Sequence, residues 1–61
     1  MDIKQTAFNT ETSELIVSYS DGSVYKYENV DNDEYGNWAN SKFSKEVFDQ
    51  FIVNYEGIKI N

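Results

Sequence analysis

The chain has 61 residues, which is enough for one domain, and we treat residues 1–61 as that domain. It contains no cysteine and no histidine, so it offers no disulfide and neither the commonest general base nor the commonest zinc ligand. Eleven acidic residues against five lysines give a net charge of −6, the opposite of the basic balance typical of nucleic-acid-binding domains. Since no signal peptide or membrane span is recognised, we expect a cytoplasmic protein with no membrane partner.

Two strands are predicted before a tight turn, and one after it. The first strand is predicted at Ile3–Asn9 and the second at Glu14–Tyr19, with a polar segment between the two strands. The third covers residues 23–28. Alternation in the second strand puts its apolar residues on one face, and these are Leu15, Val17 and Tyr19.

The turn between the second and third strands decides which side chains share a face. A two-residue loop at positions 21–22 would put Tyr25 and Tyr27 on the face opposite Leu15 and Val17. A three-residue loop at 20–22 instead pairs Val17 with Tyr25 and Leu15 with Tyr27. Its last position requires a left-handed backbone, which the glycine there adopts without steric cost. We expect the three-residue loop, because it groups the apolar residues.

The first helix has a start signal at Asp31. Glu34 follows three residues later in a capping-box arrangement, and Val30 and Tyr35 fit a hydrophobic staple around the cap. A short stripe at helical spacing follows, formed by Tyr35, Trp38 and Ala39.

The second helix is predicted over residues 44–56, with Ser44 at its start and Phe43 and Phe48 as its staple. Gly57 is the expected left-handed C-cap, and residues 58–60 alternate as a short edge strand would. One continuous apolar face is expected, formed by Val47, Phe48, Phe51, Ile52 and Tyr55. The predicted fold is therefore α+β: a three- to four-stranded antiparallel sheet (β-β-β-α-α with a C-terminal edge strand) and two helices on one face.

These residues resemble the KTSC domain family, named for its occurrence at the C-terminus of some lysyl-tRNA synthetases and also found as stand-alone small bacterial and phage proteins. The family pattern runs from an opening isoleucine through L-x-V-x-aromatic, a glycine turn, Y-x-Y, a valine and A-x-S to a tyrosine. The matching residues are Ile3, Leu15, Val17, Tyr19, Gly22, Tyr25, Tyr27, Val30, Ala39, Ser41, Phe51 or Ile52, and Tyr55.

The chain departs from the family pattern between its helices. Phe43 stands where the family usually has glycine, and the segment from Ser41 to Tyr55 is slightly longer than usual. The resemblance implies a small sheet-plus-helices fold and an RNA-binding role, and it implies no known catalysis. A different inter-helix turn is expected here.

The sequence indicates no catalytic, cofactor-binding or metal-binding residue. Residues 31–36 begin like a calcium loop, but Tyr35 and Lys42 occupy positions that need oxygen ligands. Capping of the first helix explains the same acids. No nucleophile with a neighbouring base is recognised, and we expect a protein that is not an enzyme.

The favoured function is non-enzymatic binding of a protein partner through acidic residues. Four acids fall within seven residues and no lysine interrupts them; they are Glu28, Asp31, Asp33 and Glu34. Such a cluster attracts a basic groove in the way that nucleic acid does. Small acidic proteins that inhibit host machinery, as phages encode them, are one example of this class.

Two alternatives remain open. The first is an RNA-binding accessory domain in which Tyr19, Tyr25 and Tyr27 stack on bases. We instead expect these rings in the core beneath the second helix, because a stacking platform without a basic groove lacks its main source of affinity. The second is a structural homodimer, in which aromatic rings left exposed contact a second copy.

Overall fold

A computed structural model describes residues 2–61. Its elements are β1 (Ile3–Asn9), β2 (Glu14–Tyr19), β3 (Val24–Tyr27), α1 (Asn32–Asn40), α2 (Lys45–Ile52) and β4 (Gly57–Lys59). The four strands form one antiparallel sheet in the order β1-β2-β3-β4, so β1 and β4 are its edges. The α+β fold and the C-terminal edge strand are confirmed.

The β2–β3 turn has the predicted three-residue loop. Val17 pairs with Tyr25 and Leu15 with Tyr27, so the apolar side chains of both strands lie on one face. Gly22 has a φ of +92°, a conformation that an L-residue rarely adopts. The loop is tightened by the carboxylate of Asp21, which accepts hydrogen bonds from the backbone N–H and hydroxyl of Ser23 at 2.9 and 2.6 Å.

The core lies between this sheet face and the helices. Leu15 and Val17 are fully buried, and so is Trp38 of α1, whose indole N–H donates to the carbonyl of Ser44 at 2.9 Å. Because its only polar atom is satisfied, the largest side chain of the chain can occupy the centre of the core. The other buried hydrophobic residues are Tyr19, Tyr27, Val30, Phe48 and Phe51.

The second helix is shorter than predicted. Ser44 caps it as expected, accepting from the N–H of Val47, but α2 ends at Ile52 instead of continuing to residue 56. The prediction of Gly57 as a left-handed C-cap is wrong, because Gly57 pairs with Tyr27 as the first residue of β4. The helix ends at Ile52 because the residues after it turn back to the sheet and pair with β3 as β4. Within residues 2–61, no helix is long and apolar enough to cross a membrane.

Candidate functional site

The segment that joins β3 to α1 is fixed in place by Val30. Its side chain is fully buried, and its N–H donates to the carbonyl of Ser13 in the β1–β2 turn at 2.9 Å. Asn29, immediately before it, has a φ of +57°, so the chain changes direction there. Burial of Val30 therefore fixes the positions of the acidic residues that precede and follow it at the surface.

Asp31 caps α1 as the sequence predicts. Its carboxylate accepts from the N–H groups of Asp33 and Glu34 at 2.7 and 3.2 Å. The reciprocal half of the predicted capping box is absent from the described hydrogen bonds, because Tyr55 stands between its partners. The N–H of Asp31 donates to the Tyr55 hydroxyl at 3.1 Å, and that hydroxyl donates to Glu34 Oε1 at 2.8 Å. The cap is thus completed by a side chain that follows α2.

The four predicted acids have different surroundings. Glu28, Asp31 and Asp33 are exposed, whereas Glu34 is half-buried beside Tyr55. Asp31 and Asp33 border an open polar hollow of about 440 Å³, and Glu28 and Glu34 lie outside its lining. The remaining lining residues are Ser13, Asn29, Val30 and Asn32. Within residues 2–61 none of the four carboxylates has a lysine Nζ within 4.0 Å. We call these four residues the acidic surface.

The chemistry of the acidic surface suits a basic side chain. Its exposed oxygens accept hydrogen bonds, and neighbouring asparagine amides can complete the coordination of an ammonium or guanidinium group. In the described part of the chain, no three or more acids are grouped so as to hold a metal ion.

Two of the three tyrosines considered for base stacking are buried. Tyr19 and Tyr27 are 8% and 7% exposed, and their hydroxyl oxygens lie 2.9 Å apart in a hydrogen bond. Burial, and then the bond to Tyr27, raises the pKa of Tyr19 far above its ordinary value. Tyr25 is half-buried, with its ring edge-on to Tyr19 at 5.7 Å. Only a small part of the Tyr19 and Tyr27 rings is therefore accessible for a base to stack on, as expected for rings beneath the second helix.

The sequence predicts an unusual turn between the helices, but not its backbone conformation. Lys42 and Phe43 both have left-handed backbones, with φ of +62° and +57°. The N–H of Phe43 donates to the carbonyl of Trp38 at 3.0 Å, and that of Lys42 to Ala39 at 3.0 Å, which is the Schellman pattern of a helix end. Glycine is the residue that adopts such angles freely. The signals were the phenylalanine at a position where the family usually has glycine and the slightly longer segment that follows Ser41.

Comparison with known proteins identifies one family. The model of the KTSC domain matches residues 1–55 of the 61-residue chain. The matched region includes the acidic surface, both helices and every strand except β4. No curated protein and no solved structure matches the chain.

Proposed function

The chain belongs to the KTSC domain family, and we propose that it is a non-enzymatic interaction module that binds a basic protein partner through its acidic surface. The observation that carries the proposal is the hollow bordered by Asp31 and Asp33, beside which no lysine of residues 2–61 neutralises the carboxylates. A basic groove or a lysine-rich segment of another protein would supply the missing cations.

The charge of the whole chain supports the same partner class. At a net charge of −6 the chain attracts basic proteins at long range and repels phosphate backbones. Complementary charge of this kind mainly raises the association rate and selects the partner. An inhibitor that occupies the nucleic-acid groove of a host protein is one role that fits these properties.

The acids of the surface differ in how freely a partner can use them. Asp31 is occupied with the helix cap, and Glu34 accepts the Tyr55 hydroxyl. Glu28 and Asp33 accept no side-chain or backbone hydrogen bond from residues 2–61. They are therefore the residues to neutralise in a test, because their replacement leaves the cap and the core intact.

The experiment is affinity purification of a tagged chain with and without nuclease, followed by mass spectrometry. It compares the wild type with a Glu28→Gln/Asp33→Asn variant and with a control, Glu11→Gln/Glu56→Gln. Each variant removes two of the eleven acids, so each changes the net charge from −6 to −4. Glu11 and Glu56 are exposed, so the control changes the charge away from the acidic surface.

The proposal predicts a nuclease-resistant protein partner that the wild type and the control recover and the Glu28→Gln/Asp33→Asn variant recovers poorly. Recovery that nuclease abolishes would favour the RNA-binding alternative. Recovery of the chain's own copies alone would favour the homodimer. Equal losses in both variants would mean that net charge, and not this surface, drives binding.

A further inference from the structure

A second surface lies at the opposite end of α1, about 13 Å from the acidic surface along a nine-residue helix. Phe43 is 48% exposed there, and its ring stands edge-on to Trp38 at a centroid distance of 4.9 Å. A bulky residue with a left-handed backbone is rare, since its Cβ clashes with the neighbouring backbone in this conformation. The chain nevertheless holds an aromatic ring in this position at the surface.

The Phe43 ring forms one wall of a cleft against the edge of the sheet. The cleft has a volume of about 250 Å³, and three residues of β1 line it. Its lining residues are Ile3, Lys4, Thr6, Trp38 and Phe43. Aromatic walls formed by Trp38 and Phe43, with a lysine at the side, suit an apolar side chain with a negatively charged neighbour.

The strand beside this cleft has an unpaired edge. Among the strands of residues 2–61, β1 pairs with β2 alone, and bonded pairs alternate along an antiparallel ladder. The N–H of Tyr19 donates to the carbonyl of Ser23, on the β3 side of β2. The N–H of the next residue, Ser20, donates to the carbonyl of Asp2, on the β1 side. By this alternation, the N–H and C=O groups of Thr6 and Phe8 point away from β2, to the free edge. Thr6 also lines the cleft, so a strand added here would place alternate side chains in it.

The charged side chain that lines the cleft has the opposite sign to the acidic surface. Of the five lysines, Lys26 and Lys45 form ion pairs with Glu14 and Asp49. Within residues 2–61, the other three lysines have no carboxylate oxygen within 4.0 Å; Lys59 lies on β4 at the other edge of the sheet, which leaves Lys4 and Lys42. Lys4 lines the cleft, and Lys42 precedes Phe43 in the turn. In a chain with a net charge of −6, these unpaired cations favour a ligand that carries carboxylates.

We propose that the free edge of β1 and the Phe43 cleft bind an extended acidic peptide segment of a partner protein. The segment adds a strand beside Thr6 and Phe8 through main-chain hydrogen bonds. One apolar side chain enters the cleft between Thr6 and Phe43, and a neighbouring carboxylate pairs with Lys4. This site is independent of the acidic surface and requires a different set of residues.

The test is a selection from a phage-displayed library of random peptides of about nine residues, long enough to pair along β1. Selection uses the wild-type chain, with counter-selection on Phe43→Gly, which keeps the left-handed backbone and removes the ring. The proposal predicts peptides in which an apolar residue is flanked by aspartate or glutamate. Their affinity should fall about tenfold or more in Phe43→Gly, the loss expected for removing a central aromatic anchor.

A second variant and a control locate the site. Lys4→Glu reverses a charge of the cleft without touching the turn, and it should weaken the same peptides. Ile58→Ala removes a 43% exposed side chain at the other edge of the sheet, and it should leave their affinity unchanged. In NMR spectra the selected peptide should shift the amide signals of Thr6 and Phe8 more than those of β4.

Four outcomes would overturn the proposal. One is a selection that enriches no peptide over the Phe43→Gly background, and a second is enrichment of basic peptides. The third is equal affinity for the wild type and Lys4→Glu. The last is a set of amide shifts confined to β4. Since Glu28 and Asp33 take no part in this experiment, its failure would leave the acidic-surface proposal intact.

Discussion

The hydroxyl of Tyr55 donates to Glu34 Oε1 at 2.8 Å and joins the chain after α2 to the first turn of α1. The same oxygen accepts the N–H of Asp31, the residue that caps α1. The Tyr55 hydroxyl thus provides hydrogen-bond partners for both the N–H of Asp31 and the carboxylate of Glu34, two residues of the acidic surface. The position of Glu34 is fixed by packing of the C-terminal segment as well as by its own helix.

Removal of this hydroxyl should weaken the fold by a measurable amount. Tyr55→Phe keeps the ring and removes both hydrogen bonds, so we expect a loss of about 1 kcal/mol in the free energy of unfolding in urea. Tyr35→Phe is the matched control, since the Tyr35 hydroxyl forms no hydrogen bond with residues 2–61. Equal unfolding midpoints for the two variants would show that the bridge contributes nothing.

Stability should decline at alkaline pH. Burial is the main cause that raises the pKa of both Tyr19 and Tyr55 above 10.0. The hydrogen bond to Tyr27 raises the pKa of Tyr19 further, and the hydrogen bond to Glu34 raises that of Tyr55. The unfolded chain therefore releases these protons first, and the free energy of unfolding falls as the pH rises above about 10. Urea unfolding at about pH 8 and about pH 11 measures the decline, which Tyr19→Phe should reduce. A decline of the same size in Tyr19→Phe would contradict this assignment.

Two glycines should respond to alanine in opposite directions. A Cβ at Gly57 would lie 2.8 Å from Cε1 of Tyr27, a buried ring that its bond to Tyr19 holds in place. Gly57→Ala should cost about 1–3 kcal/mol, as overpacking does. Gly36 lies inside α1 with open space around it, so Gly36→Ala should stabilise by about 0.5–1 kcal/mol. Thermal melts of the two variants measure both changes in stability. A Gly57→Ala variant as stable as the wild type would contradict the close contact between Gly57 and the Tyr27 ring.

The inter-helix turn offers a stabilising change. Lys42 occupies the left-handed position of the Schellman turn and is exposed. Lys42→Gly should therefore raise the free energy of unfolding by about 1 kcal/mol, whereas Lys42→Ala, with the same loss of charge, should not. Urea unfolding of both variants separates backbone strain from charge. A gain shared by both variants would assign the effect to the lysine's charge instead.

Local signals in the sequence predicted most of the fold. Gly22 determined the hairpin register, and Asp31 and Ser44 marked the helix starts, because each acts on neighbours within a few residues. Gly57 was misread because its role depends on Tyr27, thirty residues earlier, and not on the helix before it. The Tyr55 bridge spans 21 residues and was missed for the same reason. Of the candidate site, the sequence identified the four acids and the cap at Asp31, but not that Glu34 accepts the Tyr55 hydroxyl.

The central claim is that the acidic surface binds a basic protein by charge, and the dissociation constant of the partner recovered by affinity purification tests it most directly. Glu28→Gln/Asp33→Asn should bind about two- to tenfold more weakly than Glu11→Gln/Glu56→Gln at about 0.05 M salt. The difference should shrink at about 0.5 M, where exposed charges are screened over a few ångströms. Equal dissociation constants for the two variants at low salt, or tighter RNA binding by Glu28→Gln/Asp33→Asn, would contradict the account.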